Sequence, residues 1–327
     1  MMRAAGMCGL DPQLAAIVAA MRANQTPPPF SGTPEQARAR MRRAVMAARE
    51  RAPLPVVASA EDLVAEEGRF RVPVRVYRPL ADCLGGATIV FFHGGGFVLG
   101  SVELADDVAR KLCRDLGAVV VSVDYRLAPE HPFPAAHDDA LAASLWVARR
   151  AAALGGDPAR VAVAGESAGG NLAASTAMTL RDRGMHLAAQ LLIVPGLDVA
   201  RDTRLIDAAR QEAPLLTAAD LRDISRLYMG PHAESSGHFP PSPLRATRFD
   251  GLPRTVIAVA GHDPLRDEGI SYAERLRAAG VSVDLLRFDD MFHPFFAFFE
   301  ASASARSAND AICRAFRAAL QQQQSFD

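Results

Sequence analysis

Six short, nearly continuous apolar runs, at residues 87–92, 118–123, 160–164, 188–194, 254–260 and 281–288, constrain this chain more than any other feature. A strand that is apolar on both sides must be covered on both sides, the condition met by a parallel sheet between two layers of helices. Helical stretches fall between most of the runs, at 103–116, 138–154, 171–183 and 265–279, and a last one follows at about 305–321. The alternation predicts an α/β domain with a mostly parallel central sheet flanked by helices. Ahead of it, 63–67 and 69–77 alternate apolar with polar around Gly68, which predicts an antiparallel hairpin with one wet face at the sheet edge.

Two segments stand outside this rhythm. Residues 1–55 hold two helical patterns separated by Thr26-Pro27-Pro28-Pro29, where proline cannot continue a helix. The first pattern has Asp11 as its N-cap and Pro12 at the first helical position, with Leu14, Ile17, Val18 and Met21 at helical spacing, and so reads as a helix start and not as a secretory signal. Between 196 and 252 no strand pattern occurs, only a helical stretch near 218–228 and a Pro/Ser/His-rich passage at 230–243. An insertion of that length between strands, at the end where active-site loops emerge, is expected to be functional. The expected organisation is an N-terminal helical cap arm over 1–55 and a catalytic domain over 56–327, with a cap insertion at about 197–243 that forms a helical lid with the arm. Residues 321–324 read as a fraying terminus.

Composition narrows the partners. The 327 residues are 50% hydrophobic and 22% charged, with 36 basic against 37 acidic groups, so there is no field to recruit nucleic acid or an anionic membrane, and a neutral small molecule fits better. No apolar stretch reaches membrane-spanning length. Lys111 is the only lysine among the basic residues, a bias toward arginine that carries no chemistry. Cys8, Cys83, Cys113 and Cys313 are scattered without metal or disulfide spacing, so no metal or cofactor is expected and a reducing cytoplasm is the expected compartment.

The chemistry gathers at glycine-rich strand ends. Gly165-Glu166-Ser167-Ala168-Gly169 has the form G-x-S-x-G between a predicted strand and a predicted helix starting near Gly170, the context in which a serine on a sharp turn presents its Oγ as a nucleophile. His93-Gly94-Gly95-Gly96-Phe97 follows another strand, and its backbone amides, with that of Ala168, suit an oxyanion hole. Two of Gly94, Gly95 and Gly96 are expected to donate, and His93 is expected to hold the loop. A serine needs a base, and the base needs an orienting carboxylate. By the order Ser, acid, His, the leading base is His293, just after the last predicted strand, with His262 as its competitor. Around His131, His137, His186, His232 and His238 the sequence gives no nearby partner signal. Asp263 leads as the acid, one strand before His293, over the other strand-end carboxylate, Asp198; an Asp before Pro264 also reads as a helix cap.

Four motifs in order, His93 to Phe97, Asp124-Tyr-Arg-Leu-Ala-Pro-Glu-His-Pro-Phe-Pro134, Gly165 to Leu172 and Asp263-Pro-Leu-Arg-Asp-Glu-Gly269, closely resemble the hormone-sensitive-lipase-like microbial esterases of the α/β-hydrolase superfamily, over about 60–300. The resemblance implies an α/β-hydrolase fold with a helical cap, a Ser167, Asp263, His293 triad, and an oxyanion hole from Gly94, Gly95, Gly96 and Ala168. It implies a serine carboxylesterase acting on short- to medium-chain acyl esters through an acyl-enzyme, and a homodimer formed near the last strand and helix. Amide, carbamate or thioester hydrolysis, or acyl transfer, would use the same triad. A non-catalytic receptor of this family would lack the histidine, which here is present. Two departures stand out: Pro294 follows the histidine where the family usually has Gly, and Glu166 precedes the serine where Asp is more frequent. The 124–134 segment reads as a brace for the glycine loop, and Phe292, Phe295, Phe296, Phe298 and Phe299 as an acyl pocket wall or as core or subunit packing.

Overall fold

The computed structural model describes residues 9–81 and 86–321; Cys8, Cys83 and residues 322–324 of the expected fraying terminus lie outside them. The hairpin is β1 (Ser59–Glu67) and β2 (Phe70–Arg78), and the six apolar runs become β3 (Thr88–Phe92), β4 (Val119–Val123), β5 (Val161–Glu166), β6 (Gln190–Ile193), β7 (Thr255–His262) and β8 (Val283–Phe292). They form one sheet in the order β1-β2-β4-β3-β5-β6-β7-β8. β2 runs antiparallel to β1 and β4, and every pairing from β4 to β8 is parallel, with Phe92 of β3 opposite Gly165 of β5. Because the strands are parallel, their carboxyl ends open at one rim, and the loops carrying the candidate residues all leave from it.

Nine α-helices accompany the sheet among the described residues: α1 (Pro12–Ala23), α2 (Pro34–Arg49), α3 (Asp106–Leu116), α4 (Ala135–Arg150), α5 (Ala168–Asp182), α6 (Ala208–Gln211), α7 (Ala218–Met229), α8 (Arg266–Ala278) and α9 (Ala303–Gln321). One side of the sheet buries its apolar residues against α4, α5 and α8, the other against α1, α3 and α9. Phe292, Phe295, Phe296 and Phe299 belong to the second core, with Phe298 packed against it, so this cluster is core packing. Lys111 is also enclosed there, 2% exposed, its ammonium paired with Asp115 and Asp310 and 5.2 Å from the centre of the Phe299 ring. The Cys113 and Cys313 thiols are free and buried, which pushes both up to about 12. Among the described residues no helix is long and apolar enough to cross a membrane.

Parts of the arm and of the insertion meet segments at this rim. Asp11 caps α1 by accepting from the Gln13 and Leu14 amides, and its own amide donates to the Asp290 carbonyl at 2.9 Å, which ties α1 to β8 three residues before His293. α2 is tied to the glycine loop: Arg38 donates to the carbonyls of Val98 and Ala128 at 2.8 Å each and pairs with Glu130. No strand occurs between β6 and β7 among the described residues, and α6 and α7 occupy that interval. Leu216, Leu221 and Ile224 from it meet Leu265 in a third apolar cluster, with Phe30 of the arm and Ile206 against its edge.

Arg38 joins three segments, whereas Arg42, also on α2, makes only an exposed pair with Glu103. Arg38→Ala is expected to destabilise the fold by about 1–2 kcal/mol, because two carbonyls lose a charged donor while the screened ion pair adds little. Arg42→Ala should leave the chemical denaturation midpoint unchanged, and the two urea curves, measured side by side, check this.

Candidate active site

Ser167 sits between the last residue of β5 and the first of α5 with φ 57° and ψ −115°, a backbone conformation that is strained for any residue with a side chain. The turn is held by the Ser167 amide donating to the Ile193 carbonyl at 2.8 Å and by the Ser167 carbonyl accepting from Asn171 and Gly196. Its tightness explains the flanking glycines. A Cβ on Gly165 would strike the Gly169 carbonyl, and one on Gly169 would strike the carbonyls of Phe92 and His93. The helix begins at Ala168, two residues earlier than its sequence pattern indicates, so the Ala168 amide is one of the first-turn N–H groups that have no partner inside the helix.

The glycine loop faces this turn. Gly95 has φ 123° and packs so tightly that a Cβ there would strike the Leu99 carbonyl; its own carbonyl accepts from Val98 and Leu99. A Cβ on Gly94 would lie 3.6 Å from that of Ser167, which puts the loop beside the serine. Among the described residues no acceptor takes the amides of Gly94, Gly95 or Gly96. His93 is buried and stacked on Tyr125 with ring centres 4.3 Å apart; its Nδ1 lies 2.7 Å from the Gly94 carbonyl, and Tyr125 donates to the His93 carbonyl. Burial lowers the His93 pKa, so it holds the loop as a neutral ring. The segment from Asp124 braces the same loop, with Asp124 accepting from the Val102 amide and the Ala128 amide donating to the Phe97 carbonyl.

Asp263 and His293 leave the ends of the neighbouring strands β7 and β8. A register shift between Ala260 and His262 sets His262 opposite Phe292, where it closes β7 half-buried. His293 Nδ1 lies 3.0 Å from Asp263 Oδ2, both groups buried, while Asp263 Oδ1 accepts from the Leu265 amide at 2.8 Å. One carboxylate thus orients the imidazole and anchors the turn before α8. The competing carboxylate is engaged elsewhere: Asp198 takes both arms of Arg245, at 2.8 and 2.9 Å. The Ser167 hydroxyl makes no hydrogen bond among the described residues, and such contacts in substrate-free hydrolases tighten on binding. Of the remaining histidines, His137 has partners that sequence reasoning missed, Tyr228 at 2.6 Å and Ser175 at 3.2 Å.

The sequence marks Glu166 only as a departure from the family pattern. It is buried at the end of β5 with Oε1 unpaired, and burial raises its carboxyl from about 4.5 to about 7; His293 opposes the shift and Asp107 adds to it. Between those values the unfolded chain releases a proton that the folded chain keeps, so the stabilising contribution is full below pH 4.5 and is lost as pH rises through 7. Glu166→Gln removes the charge at near-constant shape. Thermal unfolding should therefore coincide for wild type and variant at pH 4.5, and at pH 8 the variant should melt higher by roughly 5 °C.

Comparison with known proteins agrees with this architecture. The profile of the family described as alpha/beta hydrolase fold matches residues 89–297. The carboxylesterase NlhH of Mycobacterium tuberculosis is 42% identical over 272 residues, covering 82% of this chain and 84% of the relative. An arylesterase of Saccharolobus solfataricus is 34% identical over 245 residues, covering 74% and 79%. Among solved structures, the Pyrobaculum calidifontis esterase superposes with a TM-score of 0.84 at 35% identity, over 95% of this chain and 98% of that one. Shared fold, motif order and identity over most of both chains lead to one assignment: the chain belongs to the α/β-hydrolase family, in its hormone-sensitive-lipase-like branch.

Proposed function

We propose that this protein is a serine carboxylesterase that hydrolyses short- to medium-chain acyl esters through an acyl-enzyme. The observation that carries the reading is the buried 3.0 Å contact between Asp263 and His293 at the same rim as the strained Ser167 turn. The names of the esterase relatives support it. In the proposed mechanism Ser167 is the nucleophile, His293 the general base and Asp263 the group that holds the imidazole and stabilises its protonated form. Ser167 Oγ bonds to the ester carbonyl carbon as its proton passes to His293 Nε2, and the carbonyl oxygen becomes an anion facing the amides of Ala168 and two of Gly94, Gly95 and Gly96. Collapse breaks the bond to the alcohol oxygen, which leaves with the proton from His293. Water then repeats the sequence on the acyl-enzyme and frees the acid.

The arm of 1–55 and the insertion of about 197–243 are proposed to form the cap. The apolar cluster of Leu216, Leu221, Ile224 and Leu265 supports this, since Ile224 lies against Gly96 and Leu265 follows Asp263 by two residues. A wall so close to the proposed oxyanion donors favours short acyl chains, of roughly two to eight carbons. A homodimer along β8, the strand at the sheet edge, is part of the same proposal.

Ser167→Ala should lose on the order of 10³-fold or more in turnover of p-nitrophenyl butyrate, with an unchanged circular dichroism spectrum. Asp263→Asn should lose on the order of 10⁴-fold, and Asp198→Asn only a few-fold. Reversal of the two aspartate results would move the acid to the β6 end. With p-nitrophenyl esters of graded length, kcat/KM should fall by about tenfold or more beyond eight carbons, and Ile224→Ala should move that limit to longer chains. Matching anilides should be cleaved far more slowly; comparable rates would make the protein an amidase.

A further inference from the structure

The cap does more than cover the site. Ile224 and Tyr228 stand four residues apart on α7 and so share one face of that helix. Ile224 lies so close to Gly96 that a Cβ there would come within 2.9 Å of its Cδ1. Tyr228 stacks on Phe97, the next residue of the glycine loop, with ring centres 3.8 Å apart and planes 11° from parallel. Phe97 has φ 61°, a left-handed backbone that a bulky residue keeps only under outside support. The glycine loop is therefore pressed from above by one face of one cap helix.

Tyr228 is itself fixed by a directed chain of hydrogen bonds. Its hydroxyl, buried and held far from ionisation, donates to His137 Nδ1 at 2.6 Å. Ser175 donates its proton to the Pro240 carbonyl at 2.7 Å, so the 3.2 Å contact between His137 Nε2 and Ser175 Oγ needs the proton on Nε2. The neutral imidazole that accepts from Tyr228 and donates to Ser175 satisfies every member, and burial, which lowers the His137 pKa to about 4, keeps it neutral. The chain starts on α7, passes through α4 and α5, and ends at Pro240, back in the insertion. Among the described residues no hydrogen bond links Tyr228, His137 or Ser175 to Ser167, His293 or Asp263, and the contact of Tyr228 with the site runs through Phe97 of the loop.

We propose that Tyr228 is a positioning residue for the oxyanion hole: its ring sets Phe97 and with it the amides of Gly94 to Gly96, and the His137–Ser175 relay sets the ring. The inference rests on reading those amides as the oxyanion donors. It makes cap docking and oxyanion-hole geometry one equilibrium, and a defect in it should weaken transition-state stabilisation while leaving substrate binding nearly intact.

The test measures kcat and KM per active site, titrated with a phosphonate that reacts at serine, together with inhibition by an aryl trifluoromethyl ketone. The serine Oγ bonds to the carbonyl carbon of that ketone as the serine hydroxyl proton passes to histidine, and the carbonyl oxygen becomes a tetrahedral oxyanion, so its affinity reports on the hole. Tyr228→Leu should lower kcat by about tenfold with KM within about threefold, and raise the ketone Ki by the same factor by which kcat/KM falls. Tyr228→Phe, which keeps the stack and loses the relay, should move both quantities in the same direction by a smaller factor. A purely structural role would lower melting temperature and the titratable fraction without changing kcat per titrated site, and that result overturns the proposal. So does a fall in kcat with an unmoved ketone Ki. If Tyr228→Leu does not fold, Tyr228→Phe and Phe97→Leu decide on the same readouts. Full turnover by Ser167→Ala would instead refute the site reading itself, so the two failures are distinguishable.

Discussion

The turn at Ser167 is the constraint on which the rest of the rim depends, because a side-chain-bearing residue at positive φ persists only where its surroundings leave no alternative. Those surroundings are backbone. β5 and α5 approach so closely that neither Gly165 nor Gly169 can carry a Cβ, and the second of these packs on the carbonyls that end β3. The close approach in turn sets the glycine loop, which leaves β3 at Phe92, directly beside the serine. One packing contact between two glycine-bearing segments thus fixes the spacing between the proposed nucleophile and the amides of the glycine loop. Six parallel strands supply the rigidity that makes such a contact reproducible, since the rim of a buried sheet has little freedom to relax.

Carboxylates divide the remaining work around that rim. Asp263 spends one oxygen on His293 and the other on the Leu265 amide, so the imidazole is oriented by a group that is itself anchored. Glu268, on the following helix, accepts from the amides of Leu197 and Asp198 and pairs with Arg201, which fastens the start of the insertion to α8. Burial raises the Glu268 pKa against the pull of Arg201. Asp198 then takes Arg245, close to the end of the insertion. The start of the insertion is consequently fastened to α8 and its two ends to each other, and α7 between them rests on the glycine loop.

Much of this was legible in the chain because it is local. Apolar runs with helical intervals specify buried strands between helices, and G-x-S-x-G between a strand and a helix specifies the turn, since both patterns are written within a few residues although the strands then pair over long separations. His293 and Asp263, the pair that chain order favours over His262 and Asp198, lie within hydrogen-bond distance of each other. What stayed hidden depends on distant partners or on depth. His137 and Tyr228 are 91 residues apart, and nothing in either neighbourhood announces the other. The protonation of Glu166 follows from desolvation, which no sequence pattern reports. The phenylalanines after His293 were ambiguous for the same reason, because an acyl wall and a core have the same composition and differ only in what lies behind them.

The solitary lysine gains a meaning once its surroundings are known. In a chain where arginine has displaced lysine almost everywhere, Lys111 persists in an enclosed site between Asp115 and Asp310, under the Phe299 ring. An ammonium is compact and brings three donors, whereas a guanidinium is a broad plane with five, each needing an acceptor. Two carboxylates and an aromatic face can satisfy the first and would leave part of the second without acceptors. The one lysine of the chain thus stands where two carboxylates and a ring face meet a compact cation.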